Sequence, residues 1–406
     1  MQRLADRLAG YLVYFALAAA ALTFLLSQDI RSTISVVIVA GACGIAAGTP
    51  LAILGGIGRA ARFGAIIKGG LYLETLGRVN TVVLDKTGTL TFGRAEVQSV
   101  IPYPGISETH LISLAASAES RSEHPLGKAI VAYASSRGTS YKEPARFDYW
   151  PGRGIIALIG DATVLAGNLA LMTEHNIDVP PDLCANVDGT SRVIVASNGR
   201  LLGAIGIADT VRPEAQRAIQ AFDRMEVKTV LLTGDAKPVA DAVAWQLGID
   251  EVEAELLPED KLARVRTLSS RGHVVAMVGD GVNDAPALAQ ADVGVAMGSG
   301  TDVARESAQV MLLGNDLGKF AETIGIARWT RRIIWQNFAG TIAVDLVGIA
   351  LASAGLLDPT LAAFIHVASE MTFILNSARL LPRRGGKTGG ARPHRDSTSK
   401  VLPEAA

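Results

Sequence analysis

The stretch Thr81-Val82-Val83-Leu84-Asp85-Lys86-Thr87-Gly88-Thr89-Leu90-Thr91 decides how this chain is read. Its first four residues are apolar or β-branched, as in a buried strand. An aspartate at the end of such a strand, with Gly and Thr just after it, suits a covalent phosphoryl acceptor. The strand fixes the carboxylate, and the backbone N–H groups of the turn can cradle a transferred phosphate. The bland alternative is a capped strand-to-helix turn, and the rest of the chain decides against it.

Further strands lie downstream. The apolar stretch Leu201–Asp209 begins the returning part, followed by Thr229–Leu232 before Thr233, Val274–Val278 before Gly279 and Asp280, and Val293–Ala296. Strands alternating with amphipathic helices predict a parallel sheet with helices on both faces. Ligands of such sheets sit at the carboxyl ends of the strands, where Asp85, Thr233 and Asp280 fall. A long segment separates the first strand from the others, so one domain is interrupted by a second.

Composition adds a membrane. The chain has 406 residues, 49% hydrophobic and only 19% charged, with a mean hydropathy of +0.30. Four segments are candidate membrane helices: Gly10–Leu26, Ser32 to about Ile57, Ile333–Leu357 and Thr360–Leu380. Basic residues cluster away from the loops joining each pair, at Arg3 and Arg7, Arg59, Arg62 and Lys68, Arg328, Arg331 and Arg332, and Arg383, Arg384 and Lys387. That asymmetry predicts both termini and the central region on the cytoplasmic side. The formal net charge of −1 argues against nucleic acid as the main partner. Two cysteines, Cys43 and Cys184, do not make a disulfide framework.

Three more motifs accompany the first: Thr233-Gly234-Asp235, Gly279-Asp280-Gly281-Val282-Asn283-Asp284-Ala285-Pro286, and Ser122-Glu123-His124-Pro125-Leu126. Together with Asp85–Thr91 the set resembles the P-type ATPases, and Ser122–Leu126 resembles their heavy-metal-transporting branch. The resemblance reaches to about residue 382. It implies an α/β haloacid-dehalogenase-like (Rossmann-like) phosphorylation domain with an inserted α+β nucleotide-binding domain, plus about four transmembrane helices. The implied division is 1–77 two membrane helices and stalk, 78–95 phosphorylation domain first part, 96–200 nucleotide-binding domain, 201–320 phosphorylation domain second part, 321–382 two membrane helices, and 383–406 a disordered tail.

The resemblance also implies roles. Asp85 takes the γ-phosphoryl group of ATP. Asp280, Asp85 itself and the Thr87 carbonyl hold Mg2+, with Asn283 and Asp284 completing the surroundings. Lys86, Thr233, Gly234 and Asp235 belong to the catalytic motifs, and Lys261 neutralises phosphoryl charge. By itself Lys261, after Pro258-Glu259-Asp260, reads as solvated helix surface. Related phosphatases carry an acid–base aspartate two residues after the nucleophile. Thr87 stands there in this chain, which favours a long-lived aspartyl-phosphate over simple hydrolysis. Glu119, His124, Pro125, Gly152, Gly154 and Asn168 are the implied nucleotide-binding residues. A lone His or G-x-G is ordinarily structural, and only their order within the inserted segment points to ATP.

For a transported divalent transition-metal cation the candidates are Cys43, Asp345, His366 and Glu370. Where the branch carries Cys-Pro-Cys this chain reads Gly41-Ala42-Cys43, which weakens a paired-thiolate site. Pro50 is expected to break the helix that follows. Charged groups at membrane depth are functional candidates, with packing or an interhelical ion pair as the alternative. No Thr-Gly-Glu stretch of an actuator domain occurs in these residues, so a separate chain supplying that domain is a possible partner. The expected function is ATP-driven metal-cation transport across the cytoplasmic membrane through an aspartyl-phosphate, by a truncated or split pump. The alternatives are a membrane-anchored phosphatase of the same superfamily and a non-catalytic remnant or partner of a pump.

Overall fold

The computed structural model describes residues 2–40, 43–184, 190–281 and 284–381. Asn283 and the tail 383–406 therefore lie outside the described residues, as do Gly41, Ala42 and the side chain of Cys43.

Among the described residues the strands are β1 (Ala65–Ile67), β2 (Thr81–Asp85), β3 (Thr91–Pro102), β4 (Arg146–Trp150), β5 (Gly154–Ile159), β6 (Ala162–Gly167), β7 (Ser191–Ser197), β8 (Arg200–Val211), β9 (Lys228–Leu232), β10 (Glu251–Glu253), β11 (Val275–Gly279), β12 (Val293–Ala296) and β13 (Val310–Leu312). They form two sheets. One has the order β1-β13-β12-β11-β2-β9-β10, and all its ladders are parallel except β1 with β13. The other is antiparallel, in the order β3-β8-β7-β6-β5-β4.

β2 is central in the first sheet and buried along its whole length, as expected for a strand covered by helices on both faces. The helix Pro213–Arg224 shows why those helices form. Ala215, Ala218, Ile219 and Phe222 recur at helical spacing and are its buried residues. Phe222 meets Phe320 edge to face at 5.9 Å between ring centroids.

The stretch Leu201–Asp209 is strand, as the sequence predicts, but it lies in β8 of the antiparallel sheet rather than in the parallel one. β3 leaves the turn after Asp85 and pairs with β8 from Thr91↔Val211 to Pro102↔Gly203. This two-stranded ladder joins the two sheets. Its length is what a segment entering and leaving a domain through one gate requires, because the two crossing chains satisfy each other's backbone groups.

The apolar helices differ from expectation in two places. The span predicted from Ser32 to about Ile57 is two helices, Ile30–Val39 and Cys43–Phe63, and Pro50 sits inside the second rather than ending it. The third span is part of one long helix, Gly318–Ser353, which carries the chain from the parallel sheet into the apolar region. It and Pro359–Ala378 are long and apolar enough to cross a membrane, Ile30–Val39 is a shorter apolar helix, and the first helix spans Gln2–Ser27. A buried polar junction ties the bundle. Asn337 Nδ2 donates to Ser377 Oγ at 2.8 Å, and Ser377 Oγ donates to the Gly48 carbonyl at 2.8 Å. Such bonds fix helix register in an apolar surrounding.

Candidate phosphoryl-transfer centre and nucleotide cavity

Three parallel strands end side by side. Asp85 is the last residue of β2 and is level with Leu232 of β9, while Leu84 is level with Val278 of β11. Thr233 follows Leu232 directly and Asp280 comes two residues after Val278, so the carboxyl edge gathers what the sequence keeps some 150 to 200 residues apart. Asp85 is 5% exposed and Asp284 2%. The Lys261 ammonium lies between them, 2.5 Å from Asp85 Oδ1 and 2.8 Å from Asp284 Oδ1. Lys261 is buried, so the surface-lysine reading is excluded. It reaches the site because Pro258 starts its helix, which spans Pro258–Ser270.

Burial pushes the Asp85 carboxyl up to about 7, helped by repulsion from Asp284 and Asp280 and opposed by Lys261. Burial acts against the Lys261 charge, yet the two carboxylates outweigh it and hold its pKa above the ordinary lysine value. A second ion pair borders the first. Lys86 Nζ is 2.7 Å from Asp235 Oδ2, which also accepts from Thr233 Oγ1 at 2.7 Å. Burial works to raise Asp235, but the bonds from Lys86 and Thr233 hold it below the usual carboxylate range. Gly234, between them, is exposed.

The turn after Asp85 depends on Gly88, whose φ is +72°. A Cβ there would meet Asp280 Oδ2 at 2.5 Å. Thr87 is exposed, and the Thr89 hydroxyl is buried with no hydrogen-bond partner among the described residues. Arg212 clamps the turn from β8's end: its Nε donates to the Thr91 carbonyl at 2.9 Å and its Nη2 to the Gly88 carbonyl at 3.2 Å. Thr91 Oγ1 donates to Asp209 Oδ2, and the Arg94 N–H donates to Asp209 Oδ1 at 3.0 Å. Sequence reasoning missed Asp209 and Arg212. Their only signal is the pattern Asp209-Thr210-Val211-Arg212-Pro213 ahead of a helix.

The donor set fits a hard divalent cation. Lys261 pairs with Asp85 and Asp284, Asp280 and Asp284 both act on Asp85 by repulsion, and Lys86 is engaged with Asp235. Carboxylate oxygens are the donors a hard cation such as Mg2+ prefers. Asp280 sits against the glycine that leaves it room.

A second cavity, of about 220 Å³, lies in the antiparallel domain and brings together Glu119, His124, Gly152, Gly154 and Asn168. Gly154 stands opposite Gly167 in the β5–β6 ladder. A Cβ on Gly154 would lie 2.3 Å from the Ala166 carbonyl, so only glycine permits this approach, and φ is +144° there. Asn168 caps the next helix through Leu171 N–H and donates to the Gly152 carbonyl at 2.9 Å. Pro125 is the first residue of the helix Pro125–Ser136, capped by His124 Nδ1 accepting from Leu126 N–H at 3.3 Å. That bond leaves Nε2 as the protonated nitrogen of a neutral ring. Burial raises the Glu119 carboxyl, against a hydrogen bond from Ser122. Gly127 was also missed: a Cβ there would lie 2.3 Å from Glu119 Oε2.

The transported-ion candidates are distributed over three helices, Cys43 on Cys43–Phe63, Asp345 on Gly318–Ser353, and His366 with Glu370 on Pro359–Ala378. Asp345 is buried, with Oδ2 unpaired among the described residues, whereas His366 and Glu370 are half-buried on the next helix. Among the described residues no group of three or more His, Cys, Asp or Glu side chains is placed to hold a metal.

Residues 79–292 match the family model of haloacid dehalogenase-like hydrolases, and a second model of that description matches 264–322. A copper-exporting P-type ATPase of Staphylococcus haemolyticus is 40% identical over 94% of this chain and 49% of its own length. One from Bacillus subtilis is 37% identical over the same shares. The chain thus spans about half the length of the curated relatives it matches. The crystal structure of a zinc-transporting PIB-type ATPase in its E2.Pi state superposes with a TM-score of 0.78 at 35% identity, over 92% of this chain and 62% of that one. The catalytic domain of the CPx-ATPase CopB-B superposes at 0.54 and 32% identity, over 65% of this chain and 96% of that domain.

Proposed function

This chain belongs to the haloacid dehalogenase-like hydrolase family, and from that premise we propose that it is the ATP-consuming part of a heavy-metal P-type ATPase. The observation that carries the reading is Asp85: buried at a strand end, ion-paired to Lys261, and flanked by Asp284 and Asp280. Asp85 attacks the γ-phosphorus of ATP in line with the departing β–γ bridging oxygen. The new bond is Oδ–P, and ADP leaves with the bond's electrons. Lys261 and Thr233 stabilise the charge on the transferred group, Lys86 and Asp235 position Thr233, and Arg212 holds the turn. The Asp85, Asp280 and Thr87 oxygens would hold Mg2+, which supplies shielding of the phosphate charge. Glu119, His124, Gly152, Gly154 and Asn168 receive the adenosine.

The second aspect is a divalent transition-metal cargo, carried through the apolar helices of a membrane with the catalytic domains on the cytoplasmic face. Cys43, Asp345, His366 and Glu370 remain the candidate ligands, completed by groups of a longer protein or of a partner chain bearing the actuator domain. The printed cargoes of the relatives, copper and zinc, set the metals to try. The domain division given above is retained as part of this proposal, with the crossing at 95 falling within the β3–β8 ladder, opposite Asp209.

The test is ATP-dependent phosphorylation of the solubilised chain under Cu+, Zn2+, Co2+ and no metal, beside turnover of a small phosphate ester. Metal-stimulated phosphoprotein with negligible ester turnover supports the pump. Rapid metal-independent ester turnover would favour the phosphatase reading instead.

A further inference from the structure

Arg192 is the second residue of β7, level with Gly206 of β8, which offers it no side chain. Its Nε and Nη1 are shielded from solvent and have no hydrogen-bond partner among the described residues. Guanidinium N–H groups left so are costly, and a site that keeps them is commonly one completed by a ligand. Two cavities open onto this side chain. One is the glycine-walled cavity of Glu119, His124 and Asn168. The other, of about 680 Å³, is lined by Lys86, Asp209 and Trp245 and reaches the neighbour of Asp85. Arg192 is the residue common to both linings.

We propose that Arg192 binds the phosphate chain of the nucleotide as it passes from the adenosine cavity to Asp85. The proposal rests on the nucleotide reading above and assigns it a residue that no sequence motif marked. A nucleotide seated in the first cavity and reacting at Asp85 has to run past this guanidinium. Its planar fork matches phosphate oxygens two at a time. The carboxylates bordering the two cavities are already engaged. Asp209 accepts from Thr91 and Arg94, and Glu119 accepts from Ser122. An anion brought by a ligand is the remaining acceptor of matching charge. Lys86 borders the second cavity with Arg192, and Lys261 pairs with Asp85 itself, so a phosphate chain held by Arg192 would end among further cations.

The experiment measures equilibrium binding of the non-hydrolysable β,γ-methylene analogue of ATP, and separately of adenosine, to the full solubilised chain. Arg192→Ala should weaken the ATP analogue about tenfold to a hundredfold and leave adenosine within about twofold of the parent chain. Arg192→Lys, which keeps the charge without the fork, should fall between. Unchanged affinity for the ATP analogue in Arg192→Ala would overturn the assignment. Equal losses for the analogue and adenosine would overturn it too, by making Arg192 a support of the cavity wall. Binding of neither ligand by the parent chain would take down the nucleotide reading itself, and this proposal with it.

Discussion

The two sites carried by the two sheets are built in opposite ways. The centre around Asp85 is made of charge: buried carboxylates and lysines held at hydrogen-bond distance by the ends of parallel strands. The cavity around Asn168 is made of missing side chains. Its walls are the facing glycines Gly154 and Gly167, and its polar groups stand at helix caps. Charge assembled on rigid elements suits a step in which charge develops at one atom. A glycine-walled slot suits a flat ligand recognised by shape and by a few hydrogen bonds. The difference predicts that the first site is sensitive to small displacements of chemistry, and the second to volume.

The largest test of that contrast is Gly88→Ala. The added carbon would sit 2.5 Å from Asp280 Oδ2, at a φ of +72°. Displacing a carboxylate by about an ångström should lower the phosphorylation rate about a hundredfold, with ATP affinity little changed. A quenched-flow measurement of phosphoprotein formation checks this, and a normal rate would mean that Asp280 is not part of the centre.

Gly127→Ala probes the other site and should act more mildly. Its Cβ would lie 2.3 Å from Glu119 Oε2, so ATP binding should weaken about tenfold, the loss of one hydrogen bond. Phosphorylation at saturating ATP should stay near normal. Titration calorimetry with ATP decides it, and an equal fall in the saturated rate would erase the distinction between the sites.

The smallest effect is on stability. Asp85 titrates near 7 in the fold, above its ordinary value of about 4. The folded chain therefore keeps a proton there that the unfolded chain has lost. Native stability falls as pH rises from about 4 to about 7, and this contribution is flat above. Asparagine has no such proton, so the melting temperature of Asp85→Asn relative to the parent chain should climb across that window, by a few °C. A difference constant from pH 4 to 8 would show that Asp85 is not held protonated by burial.

The same contrast explains what could be read from the sequence. Asp85, Thr233 and Asp280 announce themselves because a strand end, a turn and a carboxylate are contiguous, and a parallel sheet must bring such ends together. Lys261 could be placed only by motif order, since alone it looks like helix surface. Arg212, Asp209, Gly127 and Arg192 gave no usable signal. Arg212 acts on carbonyls of a distant turn, Gly127 matters through a side chain eight residues earlier, and Arg192 matters only where two cavities meet. In the apolar helices, composition located segments but not the interruption before Cys43. Hydropathy reports burial from water and not the register in which helices pack. The candidate ion ligands are spread over three helices, with only His366 and Glu370 sharing one, so no local pattern could show whether they converge.

The most direct test of the central claim is to label the solubilised chain with γ-phosphate-labelled ATP and Mg2+, quench in acid, and locate the label by peptide mapping. The account predicts a hydroxylamine-labile acyl phosphate on the peptide containing Asp85, absent in Asp85→Asn although that variant still binds ATP. A label on any other residue, or one that persists in Asp85→Asn, would contradict it.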